Sequence, residues 1–232
     1  MNLTKFIKNE ISGWKRWEVW WLLGSCLVIA ALSLYWKDSL MGIVSATTGI
    51  AYVVCAGKGK LSAYVFGVVN CVLYAIISYK AALYGETMLN AIYYLPMQFV
   101  GFYAWSKNMS DDTGEVLKLK MTWSQRTATY MAIMAGTLAY GFMLKVLGDA
   151  MPMIDSFTTV TSVVAMIISV KRYAEQWILW IVVDAVSVYM WWCDFRSGSD
   201  NMATLLMWIV YLMSGVVMLV KWEKEARVGE GV

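Results

Sequence analysis

Trp177, Trp180, Asp184, Ser187 and Trp191 follow one another at intervals of three, four, three and four residues, so a helix would carry them on one face. The residues between them are almost all apolar, which puts Asp184 near the middle of a long hydrophobic stretch. An ionisable group at that depth costs roughly 2.5–3.5 kcal/mol to insert, and a chain that retains one usually uses it. A carboxylate with indole faces one turn away suits a planar, positively charged ring. Other polar groups fall at the middle of other hydrophobic stretches: Asn70, on a face with Gly67 and Tyr74, and the helical stripe Asn90, Tyr94, Gln98, Gly101, Trp105. Amides read carboxamides and sugar hydroxyls through paired donors and acceptors. Thr48, Thr161, Tyr211 and Ser214 add hydroxyls at similar depth.

Each of these residue types also has a plainer use. Serine and threonine commonly hold membrane helices together, and that reading stands beside substrate contact for Thr48 and Thr161. Tryptophan at the end of a span favours the membrane interface, the expectation for Trp20, Trp21, Trp36, Trp105, Trp222 and, near the end of its stretch, Trp191. Trp180 lies inside its span, one turn from Asp184. Asn70, Gln98, Trp180 and Asp184 are therefore the first candidates for a substrate, with Trp177 beside them.

The rest of the composition narrows what such a site can do. Of 232 residues 60% are hydrophobic and 15% charged, where a soluble domain carries nearer a quarter charged. There is no histidine, and Cys26, Cys55, Cys71 and Cys193 lack C-x-x-C spacing. Neither a zinc site nor a disulfide framework is indicated, no cofactor is called for, and the commonest general base is missing. An enzyme is not expected. The net charge of +3 is dispersed along the loops, which argues against nucleic acid as a partner.

Eight apolar stretches must position these groups: about Glu18–Trp36, Leu40–Ala56, Leu61–Tyr79, Glu86–Trp105, Gln125–Lys145, Ile154–Val170, Trp177–Asp194 and Met202–Trp222. Each is long enough to cross a bilayer as a helix. With the N-terminus inside, every Lys and Arg except Lys37, Lys80, Lys145 and Arg196 falls on the cytoplasmic side, as the positive-inside rule asks. The first apolar run continues into Tyr35 and Trp36 without a small-residue cleavage site and reads as a retained span. The expected class is an all-α integral membrane protein of eight transmembrane helices with both termini cytoplasmic.

A displacement of 113 residues lays Lys58 on Lys171, Ser45 on Thr158 and Thr48 on Thr161; one of 117 lays Tyr94 on Tyr211 and Trp105 on Trp222. Between these shifts, Asn70 meets Asp184. Two triplets joined by one helix stay in parallel orientation, the 3+1+3 arrangement of SWEET-type carriers, whose substrate lies near the midplane. The expected divisions are 1–39 (N-terminus and an extra helix), 40–106 (first repeat), 107–153 (linker and linker helix), 154–222 (second repeat) and 223–232 (a fraying tail). Gly49, Gly67, Gly101 and Pro96 are expected flexing points for alternating access. With Asp184 as the one intramembrane carboxylate, ion coupling is not expected.

Several stretches resemble the PnuC family of nicotinamide riboside transporters. They are Gly57-Lys58 leading to Tyr64, Gly67 and Asn70; Leu83-Tyr84-Gly85-Glu86 through Asn90 to Tyr93-Tyr94-Leu95-Pro96-Met97-Gln98; Gly101 to Trp105; and Lys171-Arg172-Tyr173 to Glu175 with Trp177 and Trp180. Phe102 departs from the tryptophan often seen before the terminal Trp. The resemblance implies a SWEET-like fold in the bacterial inner membrane and uptake of nicotinamide riboside by facilitated diffusion. It also implies trapping by a cytoplasmic riboside kinase and a substrate site that includes Asn70, Gln98, Trp180 and Asp184. Facilitators of another vitamin, nucleoside or sugar, and homo-oligomers, stay open alternatives.

Overall fold

The computed structural model describes residues 3–81, 84–148, 152–198 and 202–228. A short amphipathic helix, α1 (Leu3–Ile11), precedes α2 (Arg16–Tyr35), α3 (Leu40–Lys58) and α4 (Ser62–Lys80). Next come α5 (Tyr84–Met88), a π-helical segment (Leu89–Tyr94) and α6 (Leu95–Ser106); then α7 (Trp123–Val146), α8 (Pro152–Val170), α9 (Gln176–Arg196) and α10 (Met202–Glu225). Among the described residues seven of these helices are long and apolar enough to cross a membrane. Inside hydrocarbon each backbone N–H and C=O must be satisfied within the protein, which leaves helix as the form for such runs. Their outward faces carry exposed apolar residues such as Leu27, Val65, Phe99 and Met134.

The expected single helix over Glu86–Trp105 is replaced by three consecutive segments, none of spanning length alone. Pro96 supplies a reason: it has no N–H to give the Ile92 carbonyl, and its ring crowds that carbonyl. The turn before it is widened, with the Leu95 N–H bonded to the Asn90 carbonyl, five residues back.

Two groups of three helical rods emerge. In the first, α3 packs on α4, and α4 on the α5–α6 rod; in the second, α8 packs on α9, and α9 on α10. The groups meet crosswise, α3 against α10 and α6 against α8. Helix α7 packs on α8, and α2 on α3 and α10. Matched tryptophans fasten the crossing: Trp105 at the end of α6 donates its indole N–H to the Ser169 carbonyl of α8 at 3.1 Å. Trp222, near the end of α10, donates to the Gly57 carbonyl of α3 at 2.8 Å. Their rings lie 6.0 Å apart. The interface-belt expectation fails for both, which are 1% and 0% exposed, and for the equally buried Trp191. Trp20 and Trp36 do face outward, while Trp21 donates to Ser214 Oγ at 3.0 Å.

Below the tryptophans, the segment between α6 and α7 is more ordered than a plain linker. The Val116 N–H bonds the Gly59 carbonyl of the α3–α4 turn, and the Leu119 N–H bonds the Arg172 carbonyl of the α8–α9 turn. One strap thus joins the corresponding ends of both groups. Lys58 pairs with Glu18 and Glu115 at 2.8 and 2.9 Å, and Lys118 with Glu115 and Glu225. Glu10 of α1 accepts the Leu61 and Ser62 N–H groups that begin α4. Rather than fraying at Glu223, the chain stays helical to Glu225, and Arg227–Val228 pairs in parallel with Leu119–Lys120. The rest of the expected tail, 229–232, lies outside the described residues.

Candidate functional site

Where the two groups face each other they leave a cavity with about 860 Å³ free of protein atoms. Helices α3, α4, α8, α9 and α10 and the α5–α6 rod all contribute to its wall. Besides Leu89, the rod does so through Glu86, Asn90, Tyr94 and Gln98, one residue in every four. In a regular α-helix each fourth residue runs about 40° ahead of the last, so three such steps would turn the stripe by about 120°. The wider π turn takes back part of that rotation, and all four reach one cavity.

Two glycines let side chains come close enough to line the wall. A Cβ at Gly67 of α4 would overlap Gln98 Oε1, and one at Gly49 of α3 would overlap the Tyr211 hydroxyl and crowd Asn70 Nδ2. A Cβ at Gly101 would likewise run into the Tyr64 ring. The three glycines among the expected flexing points are thus places of close approach.

The polar groups divide into committed and free. Asn70 donates Nδ2 to the Ser45 carbonyl at 2.9 Å, which leaves its carbonyl oxygen to accept. Asn90 spends its Nδ2 on the Glu86 carbonyl at 2.9 Å, with the same consequence. Trp180 anchors its N–H on Ser169 Oγ at 3.0 Å and has its ring 6.0 Å from that of Tyr94. Among the described residues four buried atoms at the wall have no hydrogen-bond partner: Gln98 Oε1, Gln176 Nε2, Trp177 Nε1 and the Tyr211 hydroxyl. An unmet buried polar group costs about 1–3 kcal/mol, so a ligand that pairs with these recovers a sizeable free energy. Asp184, 4% exposed, meets no hydrogen-bond donor among the described residues, and its Oδ2 lies beside Gly215 of α10.

Eight of the ten residues singled out from the sequence line this cavity: Asn70, Asn90, Tyr94, Gln98, Trp177, Trp180, Asp184 and Tyr211. Thr48 does not, because its hydroxyl returns to the Val44 carbonyl of its own helix at 2.7 Å. Thr161 is buried off the cavity wall, its hydroxyl without a hydrogen-bond partner among the described residues. Among the wall residues that the sequence did not single out as candidates are Glu86, Gln176, Met207 and Trp208. Asp184 was the one carboxylate picked out at the middle of a span; Glu86 puts a second carboxylate on the same cavity wall. Its signal was present in the i, i+4 spacing to Asn90, masked by its place at the start of the stretch. Trp208 and Trp191 both donate to the Tyr74 hydroxyl, at 3.1 and 2.8 Å, toward the end of the cavity away from Trp105 and Trp222.

Among the cavity-lining residues there are two carboxylates and no lysine or arginine. Amide oxygens, an indole face and negative charge suit a planar, cationic, hydroxyl-bearing solute.

Comparison with known proteins agrees with this chemistry. A family model described as nicotinamide mononucleotide transporter matches residues 39–224. The nicotinamide riboside transporter PnuC of Neisseria mucosa is 39% identical over 97% of this chain and 87% of its own length. The PnuC nicotinamide riboside transporter of Haemophilus influenzae is 31% identical over 97% of both chains. A crystal structure of the vitamin B3 transporter PnuC superposes with a TM-score of 0.87, at 39% identity and 97% coverage of each chain.

Proposed function

The chain belongs to the nicotinamide mononucleotide transporter family, a family of carriers and not enzymes, and within it we propose that its cargo is nicotinamide riboside and not the mononucleotide. The observation that carries this choice is the charge of the cavity. Asp184 and Glu86 line it, with no lysine or arginine among the described residues of its wall, so a pyridinium cation is attracted and a phosphate is repelled. In this reading Asp184 faces the cationic ring and Trp180 stacks on it. Asn70, Asn90 and Gln98 accept from the carboxamide and ribose hydroxyls, and Trp177 and Tyr211 donate to their oxygens. Thr48 and Thr161 take structural roles.

The eight-span, 3+1+3 reading rests on two supports. The α5–α6 rod counts as the eighth crossing because Tyr84–Ser106 continues through three helical segments, and the crosswise packing of α3 on α10 and of α6 on α8 is what two parallel repeats would give. Residues 40–106 and 154–222 are then the repeats. The extra helix in 1–39 and the linker helix in 107–153 flank them, and residues from 223 onward carry the strap's last strand.

Transport proceeds as facilitated diffusion by rocking one repeat against the other, in an inner membrane with both termini cytoplasmic. An interior-negative potential favours entry of a cation by about 2.3 kcal/mol per 100 mV, without a coupled ion. Phosphorylation by a cytoplasmic kinase reverses the sign of the attraction, and the product no longer fits the cavity it entered by. The test is uptake into proteoliposomes under imposed sodium, proton and voltage gradients, with the mononucleotide as competitor. Riboside uptake that follows voltage alone, and a mononucleotide that competes about a hundredfold more weakly or worse, is the expected result. Accumulation driven by a sodium or proton gradient would overturn facilitation, and equal competition would overturn the choice of cargo.

A further inference from the structure

We propose that Glu86 is a second cation station of the cavity, a specificity-determining carboxylate that meets a positively charged nucleoside at the end opposite Trp105 and Trp222, before Asp184 holds it. This rests on the cargo proposed above. Three observations carry it. Glu86 lines the cavity, brought onto the stripe of Asn90, Tyr94 and Gln98 by the π-helical segment. Its carboxylate has no hydrogen-bond or ion-pair partner among the described residues, while its backbone carbonyl is the one that Asn90 binds. It stands at the first turn of the rod, whereas Asp184 lies in the middle of α9, so the two charges occupy different levels of one passage.

A carboxylate that is partly buried, unpaired and aimed at a ligand space is costly unless a cation visits it. The end where it stands also carries the Tyr74–Trp191–Trp208 cluster, and no lysine or arginine is among the described residues that line the cavity there. With the basic loops placed inside, this end faces the exterior, so the cation meets Glu86 on arrival. A purely structural carboxylate at a helix start would instead bond a backbone N–H, as Glu10 does at α4.

The experiment compares nicotinamide riboside with its reduced, uncharged form in proteoliposomes, reading the ratio of the two KM values in wild type, Glu86→Gln, Glu86→Ser and Glu86→Asp. Both neutral variants should lower the preference for the cation by about fivefold or more, and Glu86→Asp should keep it within about twofold of wild type. An unchanged ratio in whichever neutral variant folds overturns the proposal, even if both KM values rise together, because that is the signature of a structural role. Wild-type protein that takes up neither form would instead defeat the transporter reading itself, so the two failures are distinguishable.

Discussion

The two helix groups carry different chemistry at matching places. At the centre of α4 stands Asn70, with its amide nitrogen spent on the Ser45 carbonyl; at the centre of α9 stands Asp184, with nothing donating to it among the described residues. The third rod of the first group is widened before Pro96 so that four polar or aromatic residues reach the cavity, while α10 is an unbroken helix that offers Met207, Trp208 and Tyr211. One scaffold used twice therefore does not give two equal half-sites. The first group supplies acceptors for hydroxyls and amides, and the second supplies the central charge and the indole face.

The largest expected effect comes from the close approach on which the first group depends. Gly49→Val places methyl groups where the Tyr211 hydroxyl and Asn70 Nδ2 now sit, and an over-packed site of this kind costs about 1–3 kcal/mol or more. Uptake should fall to background with a lowered Tm. Ser162, which the 113-residue displacement lays on Gly49, already carries a side chain, and Ser162→Ala should cost less than about threefold in uptake. Equal losses at the two positions would mean that the groups are interchangeable there.

Next in size is the charge itself. Asp184→Asn should weaken binding of the cationic riboside by about tenfold or more, ~1.4 kcal/mol, and that of the uncharged form much less. The exchange Asn70→Asp with Asp184→Asn sharpens the contrast. An aspartate at position 70 would set a carboxylate against the Ser45 carbonyl in place of a donor, so the double variant should bind no better than Asp184→Asn alone by calorimetry. Recovery of affinity in the double variant would show that the site tolerates its charge on either side.

Trp180→Ala should cost about 1–3 kcal/mol of affinity if the ring stacks on the substrate. Trp180→Phe should recover part of it, because the face remains while the bond to Ser169 is lost. Wild-type affinity in the alanine variant would return Trp180 to packing between α8 and α9.

Much of this could be read before the fold was known, for identifiable reasons. Spans follow from hydrophobic length, and Asp184 is conspicuous because a charge in an apolar run has few explanations. What escaped depends on long-range neighbours. Trp105 and Trp222 sit where interface tryptophans sit in sequence, but each finds a backbone carbonyl on the other helix group, a partner that no local pattern announces. Thr48 and Asn70 share a depth, yet a threonine hydroxyl reaches its own helix's carbonyl while an asparagine extends to the next helix. Pro96 signals a disturbed turn, but not that a π segment would turn Glu86 into the cavity.

The smallest effect tests what ties the two unlike groups together at their shared end. Glu115 lies in the strap outside the spans. Burial works to raise its pKa, but Lys118 and Lys58 outweigh that and hold it below the ordinary 4.5. A carboxylate with a depressed folded-state pKa contributes stability at pH values above its unfolded pKa, and loses that contribution as pH falls through the folded one. Wild type should therefore exceed Glu115→Gln in Tm by about 2–4 °C at pH 7, the size expected for ~1 kcal/mol in a chain of this length. The gap should narrow as pH drops below about 4.5. Because the strap joins the α3–α4 turn to the α8–α9 turn, loosening it should favour opening at this end, so the variant should also exchange riboside faster across the membrane. A Tm gap that persists unchanged into acid would assign the stabilisation to Glu115 packing and not to its ion pairs. Unaltered exchange beside a lowered Tm would show that the strap braces the fold without restraining the motion of one group against the other.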